Sequence, residues 1–438
     1  MMLAVSLAQQ GSAAVRLASW TEIPMKSKLL LVALMASAAF FTLLGYELMR
    51  SSATVLFKNA YGAENLPLVM AAMPIVMLIG VWGYGHLLSR WGPQATLQIT
   101  IWGSGVLMVL GYVGLLWGML WVTALLFLLK EFYVVLLIEQ YWSYINSKLD
   151  QGAAKKFNGP ITGVAGLGSV LGAELVARLA QPLGTEQLIL VSAAVLPPAA
   201  VLCYAAFARF GNPVDVESTD REEEKSFSRG VGWHFVRQNP RLIALLVIVV
   251  ASQVIAAVLD FKFQFLLSES FVGRPDAETA FQGEFWRNLN ATAVIAQFVL
   301  TPLLLTFIAL RWVHLLMPMI QACAIVWALI DPSIWSVGLA FFLFKVFDYS
   351  LFRGAKELVY LPLDFQARYR AKEFIDVFGY RTSKGGTALV IASLQKMGYV
   401  MHQYYLWIGL CFVGLWLMMV VPLTRSTIPE SANQAGTD

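Results

Sequence analysis

Apolar residues run along this chain in stretches of about twenty, separated by short polar segments, and that rhythm decides the class. A helix needs about 20 apolar residues to cross the hydrocarbon layer of a bilayer. Measured on that length, candidate spans lie at Leu29–Met49, Leu66–Leu88, Leu97–Gly118, Trp121–Tyr144, Ile161–Ala180 and Leu188–Ala208. A second set follows at Leu242–Leu267, Leu289–Leu310, Val313–Ile330, Ile334–Phe352, Phe374–Leu394 and Tyr405–Leu423. The pattern predicts an all-α polytopic membrane protein of about twelve transmembrane helices in two six-helix bundles.

The longest polar break separates the two sets. Residues 209–241 carry the charge run Asp220-Arg221-Glu222-Glu223-Glu224-Lys225 and then Trp233, Phe235 and Val236 at near-helical spacing. This reads as a solvated cytoplasmic linker ending in an interfacial helix. It divides the chain into an N-terminal bundle, residues 1–208, and a C-terminal bundle, residues 242–438. The halves echo each other. Ala154-Lys155-Lys156-Phe157 precedes span five and Ala371-Lys372-Glu373-Phe374 precedes span eleven, while Arg90-Trp91 and Arg311-Trp312 close spans two and eight. A common offset of this kind is the mark of internally repeated transporters.

Composition agrees with the pattern. Hydrophobic residues make up 58% of the 438 and charged residues 13%, against about 25% charged in ordinary soluble domains. Of the net charge of +4, placement matters more than size. With the N-terminus inside, most Lys and Arg that lie outside the spans fall in cytoplasmic segments, and the opposite loops hold little beyond Lys58, Arg274 and Arg287. This follows the positive-inside rule and puts both termini in the cytoplasm. Basicity therefore reports topology and no nucleic-acid site. Residues 1–28 read as a short polar-to-amphipathic lead with no cleavable signal, and Met25 is an alternative start. The three cysteines (Cys203, Cys323, Cys411) fall inside spans without metal or redox spacing, so they read as packing residues and no cofactor is expected.

Charge inside a span is a functional hypothesis by default. Span one ends Gly45-Tyr46-Glu47-Leu48-Met49-Arg50, and span four carries Lys130, Glu131 and Glu139. Span five holds Glu174 and Arg178, span seven Asp260 and Lys262, and span ten Lys345 and Asp348. Local pairing at i,i+3 or i,i+4 accounts equally well for Glu174 with Arg178 and for Lys345 with Asp348. The glycines of span five, including Gly168-x-x-x-Gly172, read as a close-packing helix face.

The densest polar run of the second half reads Lys356-Glu357-x-x-Tyr360-x-Pro362-Leu363, then Lys372-x-x-Ile375-Asp376-Val377, then Arg381-x-x-Lys384-x-Gly386. This combination resembles the signature of the ATP/ADP translocase (nucleotide transporter) family. Tyr46-Glu47-Leu48-Met49-Arg50, Gly62-Ala63-Glu64-Asn65-Leu66-Pro67, Lys130-Glu131 and Leu259-Asp260-Phe261 resemble further family segments more thinly. Gly85-His86-Leu87-Leu88-Ser89-Arg90-Trp91-Gly92 is similar to the turn motif of the major facilitator superfamily, with Ser89 where that motif has Asp.

The resemblance implies a secondary carrier that exchanges or imports nucleotides, or a related anionic solute, by alternating access. It implies a substrate-binding set of Arg50, Glu131, Asp260, Lys372, Arg381 and Lys384, with Asp376, Asp348 and Lys345 as coupling or pairing residues. Glu131 and Asp260 are expected to face one cavity. It also implies a monomer in a bacterial inner membrane. One departure stands out. The family usually places a Lys soon after the first-span Arg, and this chain reads Arg50-Ser51-Ser52-Ala53-Thr54. Two other readings stay open: a major-facilitator carrier for an unrelated solute coupled to protons, and a non-transporting sensor or scaffold of the same fold. An integral-membrane enzyme ranks below both, since the chain carries no Walker loop, nucleophile elbow or His-rich spacing.

Overall fold

The computed structural model describes residues 24–213, 231–363, 371–372 and 374–424, and every long element among them is helical. In chain order these are α1 (Met25–Tyr61), α2 (Leu66–Ala71), α3 (Met73–Leu116), α4 (Trp121–Lys148), α5 (Gln151–Leu183) and α6 (Gln187–Phe210). They continue with α7 (Val231–Gln238), α8 (Pro240–Ser270), α9 (Pro275–Ile295), α10 (Thr301–Phe307), α11 (Leu310–Ile330) and α12 (Ile334–Phe347). The last are α13 (Arg353–Tyr360), α14 (Tyr380–Lys396) and α15 (Tyr405–Thr424).

Among the described residues, 10 helical segments are long and apolar enough to cross a membrane. The difference from the expected number has two physical sources. Spans two and three run into one element, α3, interrupted at Gly92, whose φ of 74° and ψ of 173° are closed to other residues. Pro93 follows, and a residue before proline is pushed out of the α region. The segment predicted as span eleven splits into a π-turn, Phe374–Gly379, and the 17-residue α14.

The chain divides into two compact units. The first comprises the described parts of Met1–Phe57, Val76–Asp215 and Pro275–Asn288; the second, those of Lys58–Ile75, Val216–Arg274 and Leu289–Asp438. The end of α1 thus goes with the second unit and the start of α9 with the first.

In the first unit, α1 and α5 meet backbone to backbone, as the glycine pattern of span five predicts. A Cβ on Gly168 would lie 2.2 Å from the Phe40 carbonyl oxygen, and one on Gly172 2.5 Å from that of Leu44. Only glycine permits this approach. Around the contact, Met35 and Met49 of α1 are buried with Ile101 and Met108 of α3, Leu126 and Tyr133 of α4, and Leu196 and Phe207 of α6. The Ser192 hydroxyl donates to the Gly45 carbonyl at 2.7 Å, stitching α6 to α1. Lys148, ending α4, donates to the carbonyls of Phe210 (2.8 Å) and Asn212 (2.7 Å). A cation there satisfies the open carbonyls at the end of α6.

In the second unit, α8 is the central post. Leu245, Ile248, Ile255, Val258 and Leu259 are fully buried along it, and α11, α12, α14 and α15 complete the packing. Trp82, Trp117, Phe307, Ile330 and Trp335 are strongly exposed, as expected of a surface facing lipid and its interfaces. The expected N-terminal lead, apart from its last residues, the Asp220–Lys225 charge run and both termini lie outside the described residues. Of the expected interfacial helix, α7 is described, and its Trp233 ring lies 5.8 Å from that of Phe374.

Candidate functional site

Burying an ion at membrane depth is expensive unless a partner or water compensates it. Here several of the buried charges are paired. Within the first unit, Arg50 forms an ion pair with Glu47 one turn earlier on α1, and both side chains are buried. The Arg50 guanidinium lies 3.5 Å from the centroid of the Trp286 ring and 5.3 Å from that of Tyr46. A planar, weakly hydrated guanidinium suits that stacked setting. On α4, Lys130 and Glu131 are joined at 2.9 Å, and Lys130 also sits over the Phe127 ring at 4.0 Å. Glu174 bridges its i+4 neighbour Arg178 and, at 2.6 Å, Arg287 on α9. The pairing of Glu174 with Arg178 expected from the sequence is present, and Arg287 extends it.

In the second unit, Asp260 accepts a long, 3.5 Å bond from Gln264 one turn on, and the Gln264 Oε1 accepts from Lys58 at 2.7 Å. Lys58, read from the sequence as a loop cation, is buried. The signature run contains two further pairs. Lys356 on α13 meets Asp376 at 2.7 Å. The Lys372 ammonium lies 2.7 Å from Oε1 and 2.8 Å from Oε2 of Glu357. The expected pair of Lys345 with Asp348 does not form: Lys345 lies beside the rings of Phe341 and Tyr349, at 5.8 and 5.4 Å, while Asp348 is buried against a small cavity. Arg381 and Lys384 lie three residues apart in α14, and Lys384 is half-buried. Arg50 and Glu131 therefore belong to the first unit, and Asp260, Lys345, Asp348, Lys372, Asp376, Arg381 and Lys384 to the second.

Three features escaped the sequence reading. Glu357 was quoted as part of the signature with no role, although its spacing from Lys372 gives no hint of contact. Gln264 carried a weak signal, a polar side chain four residues after an intramembrane acid. The third feature has no sequence mark: π-turns at Ala296–Leu300, Asp348–Phe352 and Phe374–Gly379, all in the second unit. Such single π-turns occur frequently at functional sites, and two of these contain an intramembrane aspartate. Among the described residues there is no group of three or more His, Cys, Asp or Glu able to hold a metal.

The fold is similar to that of solved membrane transporters. The nucleoside transporter NupG superposes with a TM-score of 0.62 at 12% identity, over 90% of this chain and 98% of that one. A POT family transporter, solved with a thioalcohol-conjugated peptide, superposes with a TM-score of 0.61 at 11% identity, over 90% and 96%.

Sequence comparison then narrows the class. Residues 284–426 match the TLC ATP/ADP transporter family. ADP,ATP carrier protein 1 of Chlamydia muridarum (strain MoPn / Nigg) is 25% identical over 365 residues, which is 73% of this chain and 65% of that carrier. The chain is thus similar over residues 284–426 to the TLC ATP/ADP transporter family and, at low identity, to chlamydial carriers, of whose length it spans 65% and 63%. The signature run lies wholly inside the matched third, and so do the pairs of Asp376 with Lys356 and of Glu357 with Lys372.

Proposed function

We propose that this protein exchanges nucleotides, or a closely related phosphorylated anion, across a membrane by alternating access. The observation that carries the reading is the pairing of Lys356 with Asp376 and of Lys372 with Glu357. A di- or triphosphate brings several negative charges and needs fixed cations along its path. Those cations need interim partners when no anion is bound. Carboxylates on neighbouring helical segments fill that role, because each holds an ammonium ready without adding a permanent positive charge.

The two pairs differ in how readily they give way. Lys372 and Glu357 are each nearly half exposed, at 44% and 48% of the side chain. An ion pair so open to water contributes only about 0–1 kcal/mol, and a phosphate can displace the carboxylate with little loss. Lys356 and Asp376 are more enclosed, at 13% and 25%. Their exchange with an anion belongs to a deeper, drier step. Arg50, Glu131, Asp260, Arg381 and Lys384 complete the set of candidate substrate contacts, and Asp348 and Lys345 are candidate coupling residues. The matched family and the chlamydial carriers support a nucleotide as the anion. Positive charge at α1's start, Arg90 and Arg209 supports a topology with cytoplasmic termini in a bacterial inner membrane.

The test is counter-exchange in proteoliposomes preloaded with unlabelled ADP and supplied with labelled ATP. Uptake that depends on internal nucleotide is expected. Lys372→Gln should raise the KM, with Lys372→Arg milder, and Glu357→Gln should lower the KM by removing the competing carboxylate. Wild-type protein that binds and exchanges none of a panel of nucleoside di- and triphosphates would overturn the proposal.

A further inference from the structure

Inside the second unit, α11, α12 and α15 border a partly open cavity of about 10 Å³ lined by Met317, Gln321, Phe344, Phe347, Asp348 and Trp416. That is room for the centre of one water-sized occupant. Two of the lining residues bring buried polar atoms without an internal partner, and a third is an aspartate. Gln321 is 2% exposed, and while its Nε2 donates to the Ala340 carbonyl at 3.2 Å, its Oε1 accepts nothing. Trp416 is 3% exposed and its indole N–H is likewise unpartnered. Asp348 is 7% exposed and lines the same cavity. A buried polar group left without a partner is costly, so two such groups beside a carboxylate at one cavity point to an occupant.

We infer that Asp348, Gln321 and Trp416 form a binding site for a single internal water that solvates the Asp348 carboxylate. The donor and acceptor count selects water. A water donates two hydrogens, one to the carboxylate and one to Gln321 Oε1, and accepts the Trp416 N–H. Those three bonds are the usual complement of a buried water. A bound sodium ion needs a shell of oxygens, and the indole N–H presents a positive edge to it.

The site also has a mechanical consequence. Asp348 opens the π-turn Asp348–Phe352, which packs against the π-turn Ala296–Leu300. A π-turn carries one residue beyond the α register. A small mobile bridge allows that register to shift while Asp348, Gln321 and Trp416 keep their hydrogen bonds. The inference concerns this unit alone and holds whichever solute is carried.

An experimental map resolving ordered water decides the first part. Density for one water within hydrogen-bond distance of all three groups is expected, and it should be lost in Asp348→Leu and weakened in Trp416→Phe. A dry cavity, or an ion ringed by oxygens, would overturn the inference. Amide hydrogen exchange of the full-length protein decides the second part. In Asp348→Leu the segment 346–355 should exchange more slowly, by roughly tenfold, the factor set by about one net hydrogen bond. If that variant does not fold, Trp416→Phe gives the same comparison with a smaller effect. Exchange in 346–355 unchanged in both variants refutes the mechanical role.

Discussion

The contact between α1 and α5 offers the sharpest quantitative test of the structure. Replacing Gly168 by alanine puts a methyl group 2.2 Å from the Phe40 carbonyl oxygen, and replacing Gly172 puts one 2.5 Å from that of Leu44. Ordinary contact begins near 3.4 Å. The obstructing atoms are main chain in the middle of a helix, so no side-chain rotation relieves the overlap, and α5 must move away from α1 by about 1 Å. Dispersion contacts along the seam are weakened by a gap of that size. Overpacking of this kind costs typically about 1–3 kcal/mol. Alanine returns about 0.8–1.0 kcal/mol through its better helix propensity, so each single variant should still be destabilised, and Gly168→Ala more than Gly172→Ala. Gly103→Ala is the internal control, because a Cβ there meets nothing within 4 Å and only the propensity gain remains. Thermal unfolding of the purified protein in detergent is the assay. A lower midpoint for Gly168→Ala and Gly172→Ala, with an equal or higher one for Gly103→Ala, is expected. If all three variants rise together, the close approach of α1 and α5 is wrong.

Two further outcomes follow from the ends of helices. Gly92→Ala forces a side chain onto a backbone with φ of 74° and ψ of 173°, which should cost about 1–3 kcal/mol and lower the thermal midpoint in detergent. Asp150 caps α5 through the Ala153 N–H at 2.8 Å and pairs with Lys28 at 2.5 Å; the hydrogen bond from Lys28 first, and that from Ala153 next, holds its carboxyl below the usual carboxylate range. A depressed value stabilises the fold above the unfolded carboxyl's pKa of about 3.9, and the contribution fades as pH falls through the folded value. Asp150→Asn keeps a good cap but loses the charge, so the stability gap between wild type and variant should be present at neutral pH and close in acid; a gap that is flat with pH removes the Lys28–Asp150 pair from the account.

What was legible in the sequence was whatever depends on composition over a helix length. Apolar runs gave the spans, because a span must be apolar around most of its circumference in lipid. The spacing of Gly168 and Gly172 gave the close-packing face, because a missing side chain at every fourth residue leaves one flat strip on a helix. Gly92 was legible as a turn but not as a break inside a continuous helical element. What could not be read were pairings between segments. Nothing in the string says that Lys372 reaches Glu357, that Arg287 reaches Glu174, or that Trp286 lies under Arg50. Lys58 illustrates the cause. Its neighbours in sequence are those of a loop, and its burial comes from Gln264, more than 200 positions later.

The placement of charge in the second unit bears on how such a carrier works. A fixed, fully desolvated ion pair is hard to break, since separating it leaves two bare charges in a medium that solvates neither. Asp376 lies in a π-turn and pairs with Lys356 on α13, which follows the π-turn at Asp348–Phe352. Elements with an irregular hydrogen-bond ladder can re-register at small cost, whereas regular helices move only as rods. Placing the carboxylate partner on an irregular turn therefore lets the lysine change partners through a local shift of backbone, without waiting for a whole helix to move. The outer pair, Lys372 with Glu357, needs no such device because water reaches both side chains. On the proposed reading, a gradation from a wet, weak pair to a drier pair mounted on a deformable turn is an order in which an arriving anion would replace each carboxylate in succession.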